Sequence, residues 1–290
     1  MSHAHPGDEE YGPHVEQRSL DDLVVRLRAA GCVFAEEEAA LLVERADDAD
    51  SLEAFVVRRV AGEPLEHVLG YVDFRGLRVA VDPGVFVPRQ RTVLLVDEAL
   101  ALVRRRADAA ASAGAPDDRS VVVVDLCCGA GALGLALATD LRADHQVELH
   151  VADLDPAAVA CAARNVAAVG GVAYEGDLFA PLPSRLRGRV DVLLANVPYV
   201  PTGEIRMLPP EARDHEAHVA LDGGSDGLDV LRRVAAEAPA WLAPGGHLLT
   251  ESGERQAPGA VEILERAGLA ARVVRDDEIG ATIVVGTAHR

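Results

Sequence analysis

The sequence predicts a doubly wound α/β domain, preceded by a small helical domain and a β-hairpin. Two observations lead to this prediction. Short apolar runs alternate with segments of helical periodicity between residues 121 and 195, and such alternation is typical of a parallel sheet with helices on both faces. A polar side chain also follows each of the four apolar runs, and open α/β sheets bind their ligands at these strand ends.

The N-terminal part predicts a tail and then helices. Residues 1–17 are rich in His, Pro, Gly and acidic side chains without periodicity, so we expect a disordered tail. In residues 18–69 apolar side chains recur every three or four positions. Helices are expected at about 19–31, 35–46 and 51–60.

A hairpin and a long helix should connect this part to the sheet. Residues 70–90 alternate around Gly76, which indicates a β-hairpin linker. Residues 92–106 show helical periodicity. The polar, alanine-rich residues 107–119 are expected to form a linker.

Strands and helices then follow one another to the C-terminus. Strands are expected at 121–124, 148–152, 172–174, 190–195, 247–251, 269–274 and 282–285, and helices from Ala132, from Pro156, at 225–242 and at 257–267. The last two strands are so close in sequence that one should run antiparallel beside the sheet edge.

Composition limits the classes of function. Apolar residues make up 49% of the chain, charged residues 26%, and the net charge is −19. Proteins that bind nucleic acid usually carry a basic face, so this balance argues against nucleic acid as the main partner. The four cysteines show no C-x-x-C spacing, so neither a metal site nor a disulfide framework is expected. Without a signal peptide or an apolar run of about 20 residues, we expect a cytoplasmic protein without membrane contact.

A glycine-rich turn follows the first predicted strand of the sheet. Gly129, Gly131 and Gly134 satisfy the fingerprint G-x-G-x-x-G, and Asp153 lies about 20 residues further on, where an acid that binds a ribose belongs. The pattern alone is weak, because a tight turn that only packs a helix on a strand would also show it.

The charge beside this turn distinguishes between two classes of cofactor. A nicotinamide or flavin cofactor would place its pyrophosphate at the helix N-terminus, which favours anions. Asp125, four residues before Gly129, would repel that group. S-adenosylmethionine carries an ammonium and a sulfonium instead, so a carboxylate is favourable here, and Asp153 would accept hydrogen bonds from the ribose. Cys127 and Cys128 are interpreted as small loop residues rather than nucleophiles.

A second candidate site, Asn196-Val197-Pro198-Tyr199, follows the fourth predicted strand. An amide nitrogen is a poor nucleophile because its lone pair is delocalised into the carbonyl group. The side-chain oxygen of Asn196 and the backbone carbonyl of Val197 could hold a planar NH₂ group, aim its nitrogen at a methyl donor and stabilise the developing charge. Tyr199 could pack on the flat face of the acceptor. The same four residues could also form an ordinary turn.

At these positions the sequence resembles the HemK/PrmC-type protein-(glutamine-N5) methyltransferases, which modify peptide-chain release factors. The resemblance extends from about Leu20 to the C-terminus. It rests on the motifs Gly62-Glu-Pro-Leu65, Val87-Pro-Arg89, Asp125-Leu126 with Gly129 and Gly131, Gly176-Asp-Leu-Phe179, Asn196–Tyr199, Ala220-Leu-Asp-Gly-Gly224, Asp226-Gly-Leu228 and Pro244-Gly-Gly246.

The resemblance implies a fold, an activity and a site. The fold would be a seven-stranded Rossmann-like methyltransferase domain at residues 91–290, with residues 18–69 as a substrate-recognition domain. The activity would be methyl transfer from S-adenosylmethionine to a glutamine side-chain amide of a protein, such as the Gly-Gly-Gln loop of a release factor. The cofactor would contact Asp125, Cys127, Cys128, Gly129, Ala130, Gly131, Asp153, Leu154, Asp177, Leu178 and Asn196. The catalytic residues would be Asn196, Val197, Pro198 and Tyr199.

Three departures from the family pattern bear on the substrate. Val197 replaces the first of two prolines, but its role rests on a backbone carbonyl and a residue before proline stays extended, so we expect activity to be retained. Cys127 replaces the first glycine of the turn. Arg91 and Val93 replace both acids of the family's Pro-Arg-Pro-acid-Thr-Glu segment. A target other than a release factor, either another protein or a peptide natural product, therefore stays open.

Two further classes of function remain as alternatives. S-adenosylmethionine could serve the methylation of an exocyclic nucleobase amine, since similar motifs act on planar amines, although the acidic charge argues against it. The turn could instead belong to a nicotinamide-dependent oxidoreductase or to a cofactor-binding module without catalysis.

Overall fold

In its described residues, the N-terminal unit of the chain consists of four helices. The computed structural model describes residues 13–112 and 120–289, and these fall into two units that divide between Leu69 and Gly70. The helices span Pro13–Ala29 (α1), Ala35–Arg45 (α2), Ala49–Val60 (α3) and Leu65–Leu69 (α4). We did not predict α4, because five residues are too few to show a helical period.

Apolar packing and a buried ion pair stabilise this unit. The apolar faces of the helices are buried and include Leu23, Leu27, Ala39, Leu42 and Val56. Arg59 on α3 donates to Glu38 on α2 at 2.6 Å, and both side chains are buried, so the pair is shielded from water. Asp48 begins α3 by accepting from the Ser51 amide at 2.8 Å, in a capping box that satisfies free amides of the first turn.

Helix α1 begins earlier than the sequence indicated. We expected a disordered tail over residues 1–17 and a helix from Ser19, but the helix begins at Pro13. Proline is well tolerated in the first helical turn, because the amide that it lacks would have no intrahelical partner there. Residues 1–12 of the predicted tail lie outside the described residues.

A β-hairpin opens the second unit, at the position that the alternation predicted. Strands Tyr71–Phe74 (β1) and Leu77–Ala80 (β2) pair antiparallel. Arg75 and Gly76 between them have positive φ values of 50° and 73°. A two-residue turn with this geometry matches the right-handed twist of the two strands.

A seven-stranded sheet follows, which confirms the predicted α/β fold. Its strands are Val121–Leu126 (β3), Val147–Asp153 (β4), Val172–Glu175 (β5), Val190–Ala195 (β6), Leu242–Glu251 (β7), Ala270–Asp276 (β8) and Ala281–Thr287 (β9). They lie in the order β5-β4-β3-β6-β7-β9-β8. Strand β9 runs antiparallel to both its neighbours. It is the predicted reversed strand, and it lies one position inside the edge.

Helices cover both faces of the sheet. They span Val93–Ser112 (α5), Ala132–Leu141 (α6), Pro156–Val166 (α7), Pro210–His215 (α8), Asp229–Trp241 (α9) and Ala257–Arg266 (α10). Val121 and Val123 of β3 share one core with α5, α6 and α7, whereas Val122 and Val124 share a second core with α9 and α10. Successive side chains of a strand point to opposite faces, so β3 is buried on both sides. A ligand can therefore reach β3 only at the ends of the strand.

Helix α5 is longer than predicted. It continues to Ser112, through the first half of the segment 107–119 that we expected to be a linker. Alanine has the highest helix propensity, so an alanine-rich segment extends a helix that packing has already formed. The remaining residues of that segment, 113–119, lie outside the described residues.

Helix α9 is shorter than predicted, because the chain first forms a loop. The helix begins at Asp229 rather than Ser225. Gly224 and Gly227 have positive φ values of 86° and 76°, which a continuing helix does not allow. The short helix α8 was not predicted, since its six residues show no clear period.

Candidate active site

Neighbouring strand ends bring the predicted polar residues together. Asp125, Asp153 and Asn196 lie at or directly after the carboxyl ends of β3, β4 and β6, and Asp177 follows β5. These strands are adjacent in the sheet. Two cavities of about 400 Å³ and about 380 Å³ open beside their ends, which is where open α/β sheets bind ligands.

The larger cavity, which we call the Asn196 cavity, is lined by predicted site residues and by residues that we did not predict. Its predicted residues are Cys127, Cys128, Gly129, Ala130, Asp153, Asn196, Val197 and Tyr199. Apolar and aromatic side chains form much of the remainder, among them Phe74, Phe86, Pro88, Leu133, Leu208 and Leu221. Arg89 and Arg91 add two guanidinium groups.

The smaller cavity, which we call the Asp177 cavity, adjoins the first. Both are lined by Phe86, Cys127, Gly129, Asp153 and Ala220. The predicted residues that line the Asp177 cavity are Cys127, Gly129, Asp153, Leu154, Asp177, Leu178 and Pro198. Every predicted site residue except Asp125 and Gly131 therefore lines one cavity or both.

Asp153 fastens the glycine-rich turn to the end of β4. Its Oδ2 accepts from the Gly129 amide at 2.8 Å, and its Oδ1 accepts from the Asp155 amide at 3.0 Å. Cys127, Gly129 and Gly131 have positive φ values of 54°, 53° and 75°, which curl the turn back towards β4. Each carboxylate oxygen can accept a further hydrogen bond, so Asp153 can bind a ligand that spans the two cavities.

Two glycines of the fingerprint serve packing and face neither cavity. A Cβ atom at Gly131 would lie 3.2 Å from the Ala162 Cβ on α7, and one at Gly134 would lie 3.0 Å from the Leu149 Cδ1 on β4. The cofactor contact that we predicted for Gly131 stays a prediction, and the structure adds a packing role against α7. Gly129, by contrast, borders both cavities. The packing role that the sequence left open therefore applies to part of the motif.

Asp125 lies beneath the turn and lines neither cavity, although we predicted a contact with the cofactor. The residue is fully buried. Its Oδ2 accepts from the Gly134 amide at 2.9 Å, and its Oδ1 has no hydrogen-bond partner among the described residues. Burial, together with the charge of Asp153, raises the pKa of this carboxyl to about 7. Asp125 is therefore placed to support the turn, and its predicted contact with the cofactor stays a prediction.

The raised pKa of Asp125 predicts a pH dependence of stability. In the unfolded chain the carboxyl loses its proton near its ordinary pKa of 3.8, whereas in the fold it keeps the proton up to about 7. Between these values the folded state binds more protons, so the free energy of unfolding should fall as the pH rises, by about 1.4 kcal/mol per unit of pKa difference. Asp125→Asn does not titrate and should lack this loss. Urea unfolding of both proteins without ligand from pH 4 to 7.5 measures it, and parallel curves would contradict the assignment.

The surroundings of the two cysteines of the turn disfavour their thiolate forms. Burial and the nearby carboxylates of Asp153 and Asp125 raise the pKa of both the Cys127 and the Cys128 thiol. A protonated thiol is a weak nucleophile. This agrees with our interpretation of both as small loop residues.

Asn196 lines the Asn196 cavity, and its side-chain oxygen is a candidate acceptor. Its Oδ1 is buried and has no hydrogen-bond partner among the described residues. Leaving a buried carbonyl oxygen without a donor costs about 1–3 kcal/mol, and such groups in native proteins call for an explanation. An incoming N–H group would supply the missing donor.

A glycine loop and Gln256 hold the backbone of Tyr199. The Gln256 Nε2 donates to the backbone oxygens of Tyr199 and Asp226, both at 2.9 Å. Gly227 packs so closely that a Cβ atom there would lie 2.2 Å from the Tyr199 oxygen. The loop between α8 and α9 and Gln256 therefore hold the segment Asn196–Tyr199 in place.

This contact predicts a large effect of Gly227→Ala. The substitution adds left-handed strain of about 1–2 kcal/mol to an overlap that must displace Tyr199, with a cost of about 1–3 kcal/mol. Gly268 has a similar φ of 83° but nothing within 4 Å of its Cβ position, so Gly268→Ala is the matched control for strain alone. Urea unfolding should show a clearly larger loss for Gly227→Ala. Equal losses would mean that the close approach has no cost.

The hydroxyl of Tyr199 belongs to a network that sequence reasoning missed. Arg91 Nη2 donates to it at 2.7 Å, and the hydroxyl donates to Glu251 Oε1 at 2.9 Å. Thr92 donates to the other Glu251 oxygen at 2.9 Å. Burial and the charge of Glu251 raise the pKa of Tyr199 to about 12. Tyr199 therefore stays protonated at neutral pH and cannot act as a base.

Further cavity residues were also missed as site residues. Glu216 is buried and accepts from Arg89 Nη2 at 2.6 Å and from the Val87 amide at 3.2 Å. It thereby joins the segment around Phe86 to residues 217–220, and both segments line the two cavities. The motifs Val87–Arg89 and Ala220–Gly224 marked these two segments in the sequence, but we could assign no role to either motif from the sequence alone.

Comparison with known proteins assigns the chain to a family. The model of the methyltransferase small domain matches residues 79–208. A release factor glutamine methyltransferase of Geobacter sulfurreducens is 38% identical over 80% of this chain and 75% of that protein. One of Cereibacter sphaeroides is 34% identical over 87% of this chain and 90% of that protein. This chain belongs to the release factor glutamine methyltransferase family.

The family membership confirms the predicted resemblance, enzyme class and cofactor, so the chain is an S-adenosylmethionine-dependent methyltransferase. A relative with another acceptor is the 4-amino-L-phenylalanine/4-methylamino-L-phenylalanine methyltransferase of Streptomyces pristinaespiralis, 34% identical over 74% of this chain and 69% of that protein. Within the described residues no helix is long and apolar enough to cross a membrane. No cluster of three or more potential metal ligands occurs in the same part of the chain.

The electrostatics of the cavities fit this cofactor. Asp153, Asp155 and Asp177 line the Asp177 cavity. Its arginine, Arg233, is paired with Asp177 at 2.5 Å. Because carboxylates dominate and this guanidinium is neutralised, the site favours a cationic ligand such as S-adenosylmethionine over the pyrophosphate of a nicotinamide cofactor.

Proposed function

We propose that this methyltransferase modifies the side-chain amide nitrogen of a glutamine in a protein, and that its substrate is the Gly-Gly-Gln loop of a peptide-chain release factor. The observation that carries the proposal is the buried Asn196 Oδ1, which lacks a donor beside the cavity. A primary amide supplies one. The names of the relatives agree with this acceptor. We also propose a cytoplasmic location, since release factors act there.

The proposed mechanism divides the work between the two cavities. When bound, S-adenosylmethionine would supply an electrophilic methyl group, with S-adenosylhomocysteine as the leaving group, and the amide nitrogen would release one of its two protons to solvent. Asp153 and the backbone around Gly129 would hold the cofactor at the junction of the cavities, with Leu178 and Asp177 beside it. Asn196 Oδ1 and the Val197 carbonyl would accept the two N–H groups of the glutamine amide, which restricts its rotation and directs its nitrogen to the donor. Tyr199 would contribute the surface of its ring, because its hydroxyl keeps its proton.

Methyl transfer with labelled S-adenosylmethionine tests this function. Release factor with its Gly-Gly-Gln loop should acquire label, whereas release factor whose target glutamine is replaced by asparagine should not. Free 4-amino-L-phenylalanine serves as the alternative acceptor suggested by the Streptomyces pristinaespiralis relative. Label on the amino acid, with none on the release factor, would contradict the proposal.

The helical unit, residues 18–69, is proposed to recognise the protein substrate. Val33 and Phe34 lie between α1 and α2 with exposed fractions of 81% and 67%, so two adjacent apolar side chains are available to contact a partner. Val33→Ser with Phe34→Ser should therefore raise the KM for release factor about tenfold or more and leave cofactor affinity unchanged. Val172→Ser, at an exposed apolar residue of β5, is the control. An unchanged KM would remove this patch from recognition.

A further inference from the structure

We infer that Arg91, acting together with Glu251, is a positioning residue that fixes the ring of Tyr199 against the acceptor amide. The inference rests on the proposed function. It assigns a role to the residue that stands where the resembling family has an acid, and it explains how the exchange is compatible with an intact site.

Three hydrogen bonds form a closed triangle around the Tyr199 hydroxyl. Arg91 Nη2 donates to the hydroxyl at 2.7 Å, the hydroxyl donates to Glu251 Oε1 at 2.9 Å, and Arg91 Nε donates to the same oxygen at 2.7 Å. Thr92 holds the second Glu251 oxygen at 2.9 Å. Arg91 only donates and Glu251 Oε1 only accepts, so the hydroxyl must accept from the first and donate to the second. It therefore has one favourable position, and the direction of the ring follows from it.

A neighbouring cavity shows why the ring needs to be held. Tyr199 and Arg91 line the Asn196 cavity and also a third cavity of about 260 Å³, whose other walls include Glu251 and Arg275. Tyr199 therefore borders two open spaces. Gln256 donates to the backbone oxygen of Tyr199, and this hydrogen bond does not fix the rotation of the ring. Without the triangle, the side chain could rotate out of the Asn196 cavity.

The charges explain why arginine is suitable at position 91. The side chain of Glu251 is only 4% exposed, and a carboxylate so deeply buried is costly unless a cation accompanies it. Arg91 supplies that cation, and its fork of donors reaches the carboxylate and the hydroxyl at once, which an ammonium group cannot do in the same geometry. The network stays fixed over the physiological pH range, since the pKa of Tyr199 is about 12.

Variants that keep the buried charge balanced test the inference. Arg91→Gln alone leaves Glu251 without its cation and risks misfolding, so the test protein is Arg91→Gln/Glu251→Gln. Tyr199→Phe keeps the ring and removes the hydroxyl through which the pair acts. Wild type, the pair variant, Tyr199→Phe and the combination of all three substitutions form a cycle. The measurements are kcat and KM for release factor, and affinity for S-adenosylhomocysteine by calorimetry.

A positioning role gives a distinctive pattern in this cycle. The pair variant should lose about 10- to 100-fold in kcat and bind S-adenosylhomocysteine within about twofold of wild type. In the Tyr199→Phe background the same pair of substitutions should change kcat by less than about twofold, because the hydroxyl is already absent. An equally large loss in both backgrounds would overturn the inference, since Arg91 and Glu251 would then act on something other than Tyr199.

A second readout does not depend on the acceptor. Near-ultraviolet circular dichroism detects aromatic rings that are held rigidly. The difference between wild type and Tyr199→Phe should be present with the native pair and much smaller with Arg91→Gln/Glu251→Gln. A difference of equal size would overturn the inference whichever substrate the enzyme uses. Absence of label on release factor with wild-type enzyme, by contrast, would contradict the proposed function alone.

Discussion

Replacing Asn196 by alanine should reduce glutamine methylation by at least about 100-fold in kcat, the scale of a lost transition-state contact, while the protein stays folded. The Asn196 Oδ1 has no partner to lose among the described residues, so its removal leaves no new orphaned group in the core. What is lost is the acceptor that orients the substrate amide. Single-turnover methyl transfer to release factor, with thermal unfolding as the check on folding, measures both quantities.

A matched variant separates this acceptor role from a loss of shape. Asn196→Asp keeps the size of the side chain and an oxygen in the same place, so it should retain more activity than Asn196→Ala. If alanine supports transfer at the wild-type rate, Asn196 has no part in catalysis. If aspartate and alanine are equally impaired, the amide NH₂ group of Asn196 is the important part instead.

Asp153→Ala should weaken the binding of S-adenosylhomocysteine by about 10- to 150-fold. Hydrogen bonds to a charged acceptor contribute about 1.5–3 kcal/mol, and about 1.4 kcal/mol corresponds to a factor of ten. Asp153 also holds the Gly129 amide at 2.8 Å, so the turn should loosen as well. Titration calorimetry gives the affinity directly.

Asp155→Asn is the control for the general loss of a negative charge. Asp155 lines the same cavity and caps α7 by accepting from the Ala157 amide at 2.9 Å. Asparagine caps helices as well as aspartate does, so this variant should fold and bind nearly as tightly as wild type. Unchanged affinity in Asp153→Ala would remove Asp153 from the cofactor site.

Much of the site was accessible from the sequence because strand ends converge. The side chains after β3, β4, β5 and β6 lie far apart in the chain, yet a parallel sheet places them side by side. Asn196 and Asp153 could therefore be assigned to one site without a structure. The separate tasks of Gly129 and Gly131 could not, since which glycine faces a ligand depends on the packing of α6 against α7.

The network around Tyr199 was beyond sequence reasoning for a different reason. Arg91 and Glu251 are 160 residues apart, and no local pattern connects a residue near a hairpin with the end of β7. Arg91 was noticed only as a departure from the family pattern. The structure places β7, which ends at Glu251, next to β6, and Asn196–Tyr199 directly follows β6. Only this arrangement shows that Glu251 is the partner of Arg91.

The boundaries of elements show the same limit. Apolar periodicity predicted the long helices and the strands of the sheet, because burial on one or two faces requires it. It did not predict where α5 ends or that α9 begins only at Asp229. The end of α5 depends on the helix propensity of the residues that follow its packed part. The start of α9 depends on Gly224 and Gly227, whose conformations the loop determines.

A crystal structure of the enzyme with S-adenosylhomocysteine and a Gly-Gly-Gln peptide would locate the acceptor amide. The glutamine amide nitrogen should lie in the Asn196 cavity and donate to Asn196 Oδ1 and to the Val197 carbonyl, each at about 2.9 Å. The ring of Tyr199 should lie against the amide plane. A glutamine side chain bound elsewhere, with Asn196 Oδ1 directed at the cofactor or at water, would contradict the proposed roles of Asn196 and Val197.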